Sequence, residues 1–281
     1  MRVFIVGATG VIARNLIPML LARGDRVTAL VRSPDRARSI LGPHVDLIEG
    51  DLLTIDDEQL LGAMNGCDAV VHLATALGSG LSSEALDATA ALRIAGTTKL
   101  LRAAAQGSVR RYVQQSIAFA YIDRGEDWIE EDTPIDTEGR IGPVIAEMES
   151  LVEESPLEWF ILRGGVFVGP DTFQDTTVTR LRGGEERVPG SGEQWTSFIH
   201  VADYADAVAA ALQSSASRAV LNVTAEPIRY RDYLACLAES LEVAPPLPEP
   251  GAPTPRSYRC SNAAASALLG WTPSRPIWPV A

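Results

Sequence analysis

Short apolar runs alternate with longer amphipathic ones through the first 165 residues. Val3-Phe4-Ile5-Val6 gives way to a helical spacing of apolar residues from Val11 to about Ala22, and then to Val27–Val31. A short, wholly apolar run suits a strand buried on both faces, whereas a period of 3.6 residues suits a helix packed on one side. Strand, helix and strand in that order predict a parallel pair joined by a crossover. The pattern recurs, with strands predicted at Val45–Ile48, Ala69–Leu73, Arg111–Gln114 and Trp159–Leu162 and helices at about 55–64, 86–105 and 143–154. This is the α/β alternation of a doubly wound parallel sheet. After Gly165, the Gly183-Gly184 pair, Pro189-Gly190-Ser191-Gly192 and the Pro245–Pro255 stretch interrupt it, although 201–212, 231–241 and 263–269 keep helical spacing. The expected organisation is a core of residues 1–165, to which 198–223 return, and a smaller, irregular C-terminal lobe of 166–197 and 224–281. The proline-rich stretch reads as an ordered surface loop, because a helical run follows it.

Composition narrows the partners. The 281 residues are 46% apolar and 21% charged, with a net charge of −12. That balance suits a globular protein and disfavours both a phosphate backbone and an anionic membrane surface. The expected partner is a small molecule, with no nucleic acid and no membrane, and the chain is expected to be a monomer or homodimer. Cys67, Cys236 and Cys260 are odd in number and widely separated, so neither a disulfide framework nor a zinc site is suggested, and no metal is predicted. No leader or membrane-length apolar run is recognisable, and a cytoplasmic location is expected. The basic residues are 23 arginines and a single lysine, Lys99. That count excludes a phosphate loop ending in Gly-Lys-Ser/Thr, because Thr98 precedes Lys99. It also excludes a Tyr-x-x-x-Lys pair, because Ala95 stands four residues before the lysine.

The first predicted strand runs into Gly7-Ala8-Thr9-Gly10-Val11-Ile12-Ala13 and then a helix. Glycines there allow a tight turn and close approach of the backbone to a pyrophosphate, whose charge sits on the free amides of the helix N-terminus. This marks the fold as a Rossmann type and Gly7, Thr9, Gly10, Val11 and Ile12 as dinucleotide-binding residues. The second strand ends Leu30-Val31-Arg32-Ser33, without the carboxylate that would accept from an adenosine ribose. An arginine there suits a 2′-phosphate, so NADPH is expected, with NADH as the alternative and Arg32 as the main phosphate ligand. Arg14 is a weaker candidate, while Arg36 and Arg38 read as solvated cations.

At this point the chain resembles the extended short-chain dehydrogenase/reductase family. The resemblance rests on Gly7/Gly10/Ala13, Gly50-Asp51-Leu52, His72-Leu73-Ala74-Thr75, Gly96-Thr97, Glu131-Asp132-Thr133-Pro134, Phe198-Ile199-His200-Val201-Ala202-Asp203 and the ending Leu268-Leu269-Gly270-Trp271-Thr272-Pro273, and so covers nearly the whole chain. It implies that Asp51 faces the adenine amino group and Leu52 its ring, and that Leu73, Ala74 and Thr75 pass under the cofactor. It also implies that Gly164 and Val166 border the nicotinamide, and that the smaller lobe binds substrate. The family usually has proline where Gly164 stands.

The family's catalytic triad is a serine and a Tyr-x-x-x-Lys pair, and aligning on Tyr121 and on Glu149-Ser150-Leu151-Val152 puts Ile117, Ile141 and Ile145 at those places. A shift of register does not restore the triad, because no tyrosine occurs between Tyr121 and Tyr204 and no lysine after Lys99. A positioned general acid contributes about 10² to 10⁴ in rate, or about 3 to 5.5 kcal/mol, and proximity of hydride donor and carbonyl can contribute more. Reduction without the tyrosine is therefore feasible for a carbonyl that is already polarised, such as a ketone beside an internally hydrogen-bonded phenol. The resemblance to atypical, triad-less reductases of antibiotic pathways, including angucyclinone ketoreductases, implies an NADPH-dependent ketoreductase. Its expected substrate is a ketone of a polycyclic aromatic polyketide, held in an apolar cleft between the lobes. A non-enzymatic NADP-binding sensor and a redox-neutral dehydratase, isomerase or cyclase are the alternatives.

Several side chains carry two readings. Ser116 is a candidate donor to substrate or cofactor, but strand alternation turns it away from the side Ile117 faces. Tyr121 is either a proton donor or a structural tyrosine. Gln114 and Gln115 are polar residues in an otherwise apolar strand, and Gln115 is a candidate substrate contact. His200 is a candidate acid or a structural hydrogen-bonding residue. Met148, Phe167 and Trp195 either line an aromatic pocket or pack in the core. Asp127, Glu130, Glu131 and Asp132 read as a solvated loop or movable lid. Glu147 and Glu149, two apart on a helix, do not share a face.

Overall fold

The computed structural model describes residues 1–77, 82–249 and 251–278. The expected alternation is present: β1 (Arg2–Val6), α1 (Val11–Ala22), β2 (Arg26–Val31), α2 (Pro34–Leu41), β3 (Asp46–Glu49), α3 (Asp57–Ala63), β4 (Ala69–His72), α4 (Ser83–Ala91), α5 (Thr97–Gln106), β5 (Arg111–Ile117), α6 (Gly142–Glu153) and β6 (Glu158–Gly164). Later elements are β7 (Val166–Val168), α7 (Gln174–Arg182), β8 (Arg187–Pro189), β9 (Trp195–Thr196), β10 (Phe198–His200), α8 (Val201–Gln213), β11 (Ala219–Val223), β12 (Ile228–Arg229), α9 (Tyr230–Ser240), β13 (Leu247–Glu249) and α10 (Ala263–Leu269). Seven strands form one sheet in the order β11-β6-β5-β4-β1-β2-β3, with β1 parallel to β2 and β4, β2 parallel to β3, and β4 parallel to β5. The order reverses beside β1, which is the switch point at which doubly wound sheets bind their ligands. Among the described residues, no helix is long and apolar enough to cross a membrane.

The predicted helix over 86–105 is two helices, because a π-turn at Leu92–Gly96 interrupts it. Helix α2 is short and mostly polar, with Ala37 its one buried residue, so the apolar runs gave no warning of it. It starts with Pro34 at a position where the missing N–H costs nothing.

Two compact units divide the chain: 1–116, 137–162 and 208–220 in the first, and 117–136, 163–207 and 221–281 in the second. In the first, Phe4, Val70, Leu100, Tyr112 and Ile161 belong to one continuous apolar cluster. The nearly buried Arg111 donates to the carbonyls of Ala211, Leu212, Ser214 and Ala216, so one guanidinium satisfies the orphan end of α8 and the turn after it. In the second unit, Phe198, Tyr230 and Tyr233 stack within a cluster that includes Leu234, Leu237 and Ile277. Segment 117–136 is closed on itself by a bridge from Tyr121 to Ile135 and sides with this unit through the bridge from Ile129 to Cys260. The proline-rich stretch is anchored by β13, which pairs with β8, while Pro250 within it lies outside the described residues. Buried Asp203 accepts from the amides of Ser274 and Arg275 and from the Arg275 guanidinium, which holds the chain's last described turn.

Candidate active site

The turn after β1 has the geometry a pyrophosphate requires. Gly7 has φ +84°, and a Cβ on it would lie 2.6 Å from the carbonyl carbon of Leu73 and 2.7 Å from the nitrogen of Ala74. Left-handed backbone and backbone contact together admit only glycine. Gly10 caps α1 in an extended conformation without a side-chain acceptor, and the first turn holds no acid. The first amides of α1 therefore keep their donors for an anion. Thr9 and Gly10 are exposed and Val11 is half-buried, while Ile12 and Ala13 are buried. These residues fit a dinucleotide.

The flanking positions are arranged accordingly. Asp51 accepts from the Leu53 amide at 2.9 Å, and its carbonyl holds the Thr54 and Ile55 amides, so its carboxylate has a fixed direction. Leu52 is buried, and Gly96 is close enough that a Cβ there would meet Leu52 at 2.7 Å. Arg32 is exposed just beyond β2. Arg38, by contrast, donates to the carbonyls of Gly42 and Val45 and holds the turn after α2. Leu73 is buried, and Ala74 and Thr75 are half-exposed behind it.

Beneath the loop after β4 lies a buried polar set that sequence reasoning did not assemble. The Gln114 amide oxygen accepts from the hydroxyls of Tyr112 at 3.0 Å and Thr97 at 3.3 Å and faces His72 Nδ1 at 3.1 Å. This makes Gln114 an internal hub, which accounts for a glutamine in an apolar strand. His72 Nε2 is buried without a hydrogen-bond partner among the described residues. Burial, aided by the charge of Arg93 and opposed by the Gln114 bond, lowers the His72 pKa to about 4.

Ile141 stands at the start of α6 at 37% exposure, whereas Ile145 and Ile117 are buried, so apolar side chains fill all three positions of the proposed triad register. Ser116 is not free to act on a ligand, because its hydroxyl donates to buried Glu149 on α6 at 2.6 Å. Ile145 and Glu149 lie one helical turn apart, a spacing that would have placed Glu149 on this face. Met148 is fully buried and packs as core. Gln115 remains a candidate contact, since its Oε1 is buried and has no partner among the described residues.

In the second unit, Tyr121 is structural rather than a proton donor. Its hydroxyl donates to Asn222 Oδ1 at 2.7 Å and accepts from Arg163 at 2.7 Å, and Arg163 also lies over its ring. Burial drives its pKa far upward. Gly164 replaces the family's proline for a steric reason: a Cβ there would stand 2.8 Å from Tyr204 and 3.0 Å from Phe167. Those two rings meet edge-to-face at 5.0 Å, so Phe167 packs internally and Val166 beside it is half-exposed. Trp195 is likewise taken up within the chain, with the guanidinium groups of Arg229 and Arg259 over its ring at 4.1 and 4.5 Å and its Nε1 donating to Glu126. His200 Nδ1 accepts from the Ala202 amide and caps α8. The acidic segment is tied down rather than loose: Glu131 accepts from the Asn222 amide, and Ile129 exchanges backbone bonds with 259–261. Asp127, Glu130 and Asp132 are exposed on it.

Residues 3–224 match the NAD dependent epimerase/dehydratase family. The chain belongs to that family. It is 36% identical to a 3-diazoavenalumate denitrifying reductase of a Streptomyces species, over 99% of this chain and 98% of that protein. It is 29% identical to a 4-hydroxy-2-methyl-3-oxo-4-farnesyl-3,4-dihydroquinoline-1-oxide ketoreductase of Stigmatella aurantiaca, over 85% of this chain and 73% of that protein. Among solved structures, MoeE5 in complex with UDP-glucose and NAD superposes with a TM-score of 0.81 at 24% identity, covering 99% of this chain and 95% of that one. The UDP-glucose 4-epimerase of Thermus thermophilus in complex with NAD gives 0.80 at 24% identity, covering 98% and 95%. These two show the shared fold. The family and its reductase relatives make this chain an NAD(P)-dependent enzyme of oxidoreductase type.

Replacing Tyr121 by phenylalanine removes one buried hydrogen-bond partner from each of Asn222 and Arg163, so urea unfolding of Tyr121→Phe should show a loss of about 1–3 kcal/mol, while dinucleotide affinity stays unchanged. His72 has a folded pKa near 4 against 6.5 unfolded, so only the unfolded chain takes the proton between those values. Stability should therefore fall with pH from about 6.5 to 4, by about 3 kcal/mol from this residue. The checking measurement is the pH dependence of unfolding free energy, which should lose that component in His72→Asn.

Proposed function

We propose that this chain is an NADPH-dependent ketoreductase that delivers hydride to a ketone of a polycyclic aromatic polyketide, of the angucyclinone type, without a tyrosine–lysine acid. The observation that carries the reading is an intact dinucleotide turn at Gly7–Ala13 combined with isoleucines at the three triad positions and a Tyr121 hydroxyl committed to Asn222 and Arg163. When bound, reduced nicotinamide supplies the hydride, which makes the new C–H bond while the carbonyl π pair moves to oxygen. The balancing proton comes from a neighbouring phenol of the substrate or from water. The chain contributes positioning: amides of α1 hold the pyrophosphate, and Leu52 and Asp51 orient the adenosine. Ile117, Ile141 and Ile145 present no group able to protonate the product oxygen, so the substrate must lower its own barrier. The quinoline-type ketoreductase relative supports a ring-conjugated ketone.

A second reading is favoured by the 36% identity over nearly the whole chain to a denitrifying reductase. Hydride added to an aryl diazonium gives the arene and dinitrogen, with the C–N bonding pair leaving on nitrogen. No proton is required, which also suits a site without an acid.

Both readings are tested by incubating the protein with NADPH and either a polycyclic ketone bearing an adjacent phenol or an arenediazonium, and following loss of nicotinamide absorbance and formation of alcohol or arene. Binding of cofactor and substrate with no oxidation of either mixture overturns both. For cofactor choice, Arg32→Glu should weaken NADPH at least about tenfold while leaving NADH within a factor of about three, measured by fluorescence titration; equal losses would remove Arg32 as the 2′-phosphate ligand.

A further inference from the structure

Gly96 is a glycine that its backbone does not require. It ends the π-turn Leu92–Gly96 with φ −63° and ψ −46°, ordinary helical values that any residue adopts. Glycine weakens a helix relative to alanine, and a π-turn is rare and found frequently at functional sites. Two unfavourable features at one buried residue call for a reason in its surroundings.

The surroundings supply one. A Cβ on Gly96 would stand 2.7 Å from Leu52 Cδ2 and 3.4 Å from its Cγ, with His72 Cε1 farther off at 3.7 Å. The missing methyl group is therefore space held for Leu52. That side chain has little room to retreat, because it is 4% exposed and belongs to the same apolar cluster as Leu30, Ile55 and Leu100. Leu52 follows Asp51 on the turn beyond β3, where the Asp51 carbonyl holds the Thr54 and Ile55 amides. In the order β4-β1-β2-β3, this turn stands on the half of the sheet reached from the glycine turn by way of β2. The carboxyl end of the second strand is where doubly wound folds hold the adenosine ribose of a dinucleotide.

We propose that Gly96 is a positioning residue for the adenosine half of the dinucleotide: the room it leaves behind Leu52 lets that side chain form the apolar wall against which the adenine rests. The inference rests on the dinucleotide-binding part of the function proposed above, with Leu52 facing the adenine ring. Adenine has apolar faces and polar edges, so a closely seated aliphatic wall beside the fixed Asp51 carboxylate suits it. A side chain at position 96 drives Leu52 from its seat, and a close-packed interior passes such a shift on rather than absorbing it. The shift falls on the adenosine half and spares the nicotinamide half beyond the pyrophosphate.

The test is fluorescence titration of NADPH and of reduced nicotinamide mononucleotide, which lacks the adenosine, with circular dichroism to establish folding. In Gly96→Ala the Kd for NADPH should rise about tenfold while that for the mononucleotide stays within a factor of about two. Adding Leu52→Val, which removes the crowded Cδ atoms, should return the NADPH value to within a factor of about three of wild type. A general disturbance of the fold would weaken both ligands together. A folded Gly96→Ala protein with equal losses, or with none, overturns the inference, as does a double variant no better than the single one. Leu52→Ala decides the question where Gly96→Ala does not fold: NADPH weakened against an unchanged mononucleotide upholds the wall, and an unchanged ratio of the two constants overturns it. Wild-type protein that binds neither ligand overturns the proposed function and this inference together, whereas wild-type binding with an unchanged ratio in the variants overturns the inference alone.

Discussion

The close approach of Gly7 to the backbone of Leu73 and Ala74 is the constraint on which the rest of the first unit depends. With no room for even a methyl group between the turn after β1 and the loop after β4, the two must be held in register by what lies beneath. On one side this is the parallel pairing of β1 with β4, which sets Val6 opposite His72. On the other it is the buried set around Gln114, which ties the end of β4 to β5 and to the start of α5. Polar groups in that position are costly when unpaired, so the network also fixes one arrangement of the three elements.

The polar residues at the end of β5 have been redirected from chemistry to architecture. Ser116 commits its hydrogen bond to Glu149, and Tyr121 holds Arg163 and Asn222 together. Isoleucine at the remaining places removes the need to hydrate or pair a charged lysine and a phenol. At the positions where the resemblance expects the triad, the chain thus offers isoleucines, and Ser116 and Tyr121 nearby in sequence are engaged by the chain itself. Under the proposed function, that arrangement suits an electrophile that accepts hydride unaided, because orientation alone still contributes a large rate factor.

Much of this was legible in the residues. Apolar, mostly β-branched runs flanking a helical period specified the sheet, because strands buried on both faces are predominantly apolar. The glycine turn, Arg32 after the second strand and the lack of any Tyr-x-x-x-Lys pair could be read from the chain alone, since each depends on local order. The π-turn was not legible: its residues have ordinary helical character, and only packing against Leu52 and α6 makes the extra residue worthwhile.

Fold class, the dinucleotide turn and the absence of the usual acid are properties of spacing and composition, and so were settled along the chain before any folding. The fate of individual polar and aromatic side chains was settled only by folding. Trp195 is claimed by two arginines, Phe167 by Tyr204, Met148 by the core and Ser116 by a glutamate 33 residues away. A side chain free to meet a ligand and one engaged by its own protein look alike along the chain, since the partner that distinguishes them arrives from a distant segment only when the chain has folded.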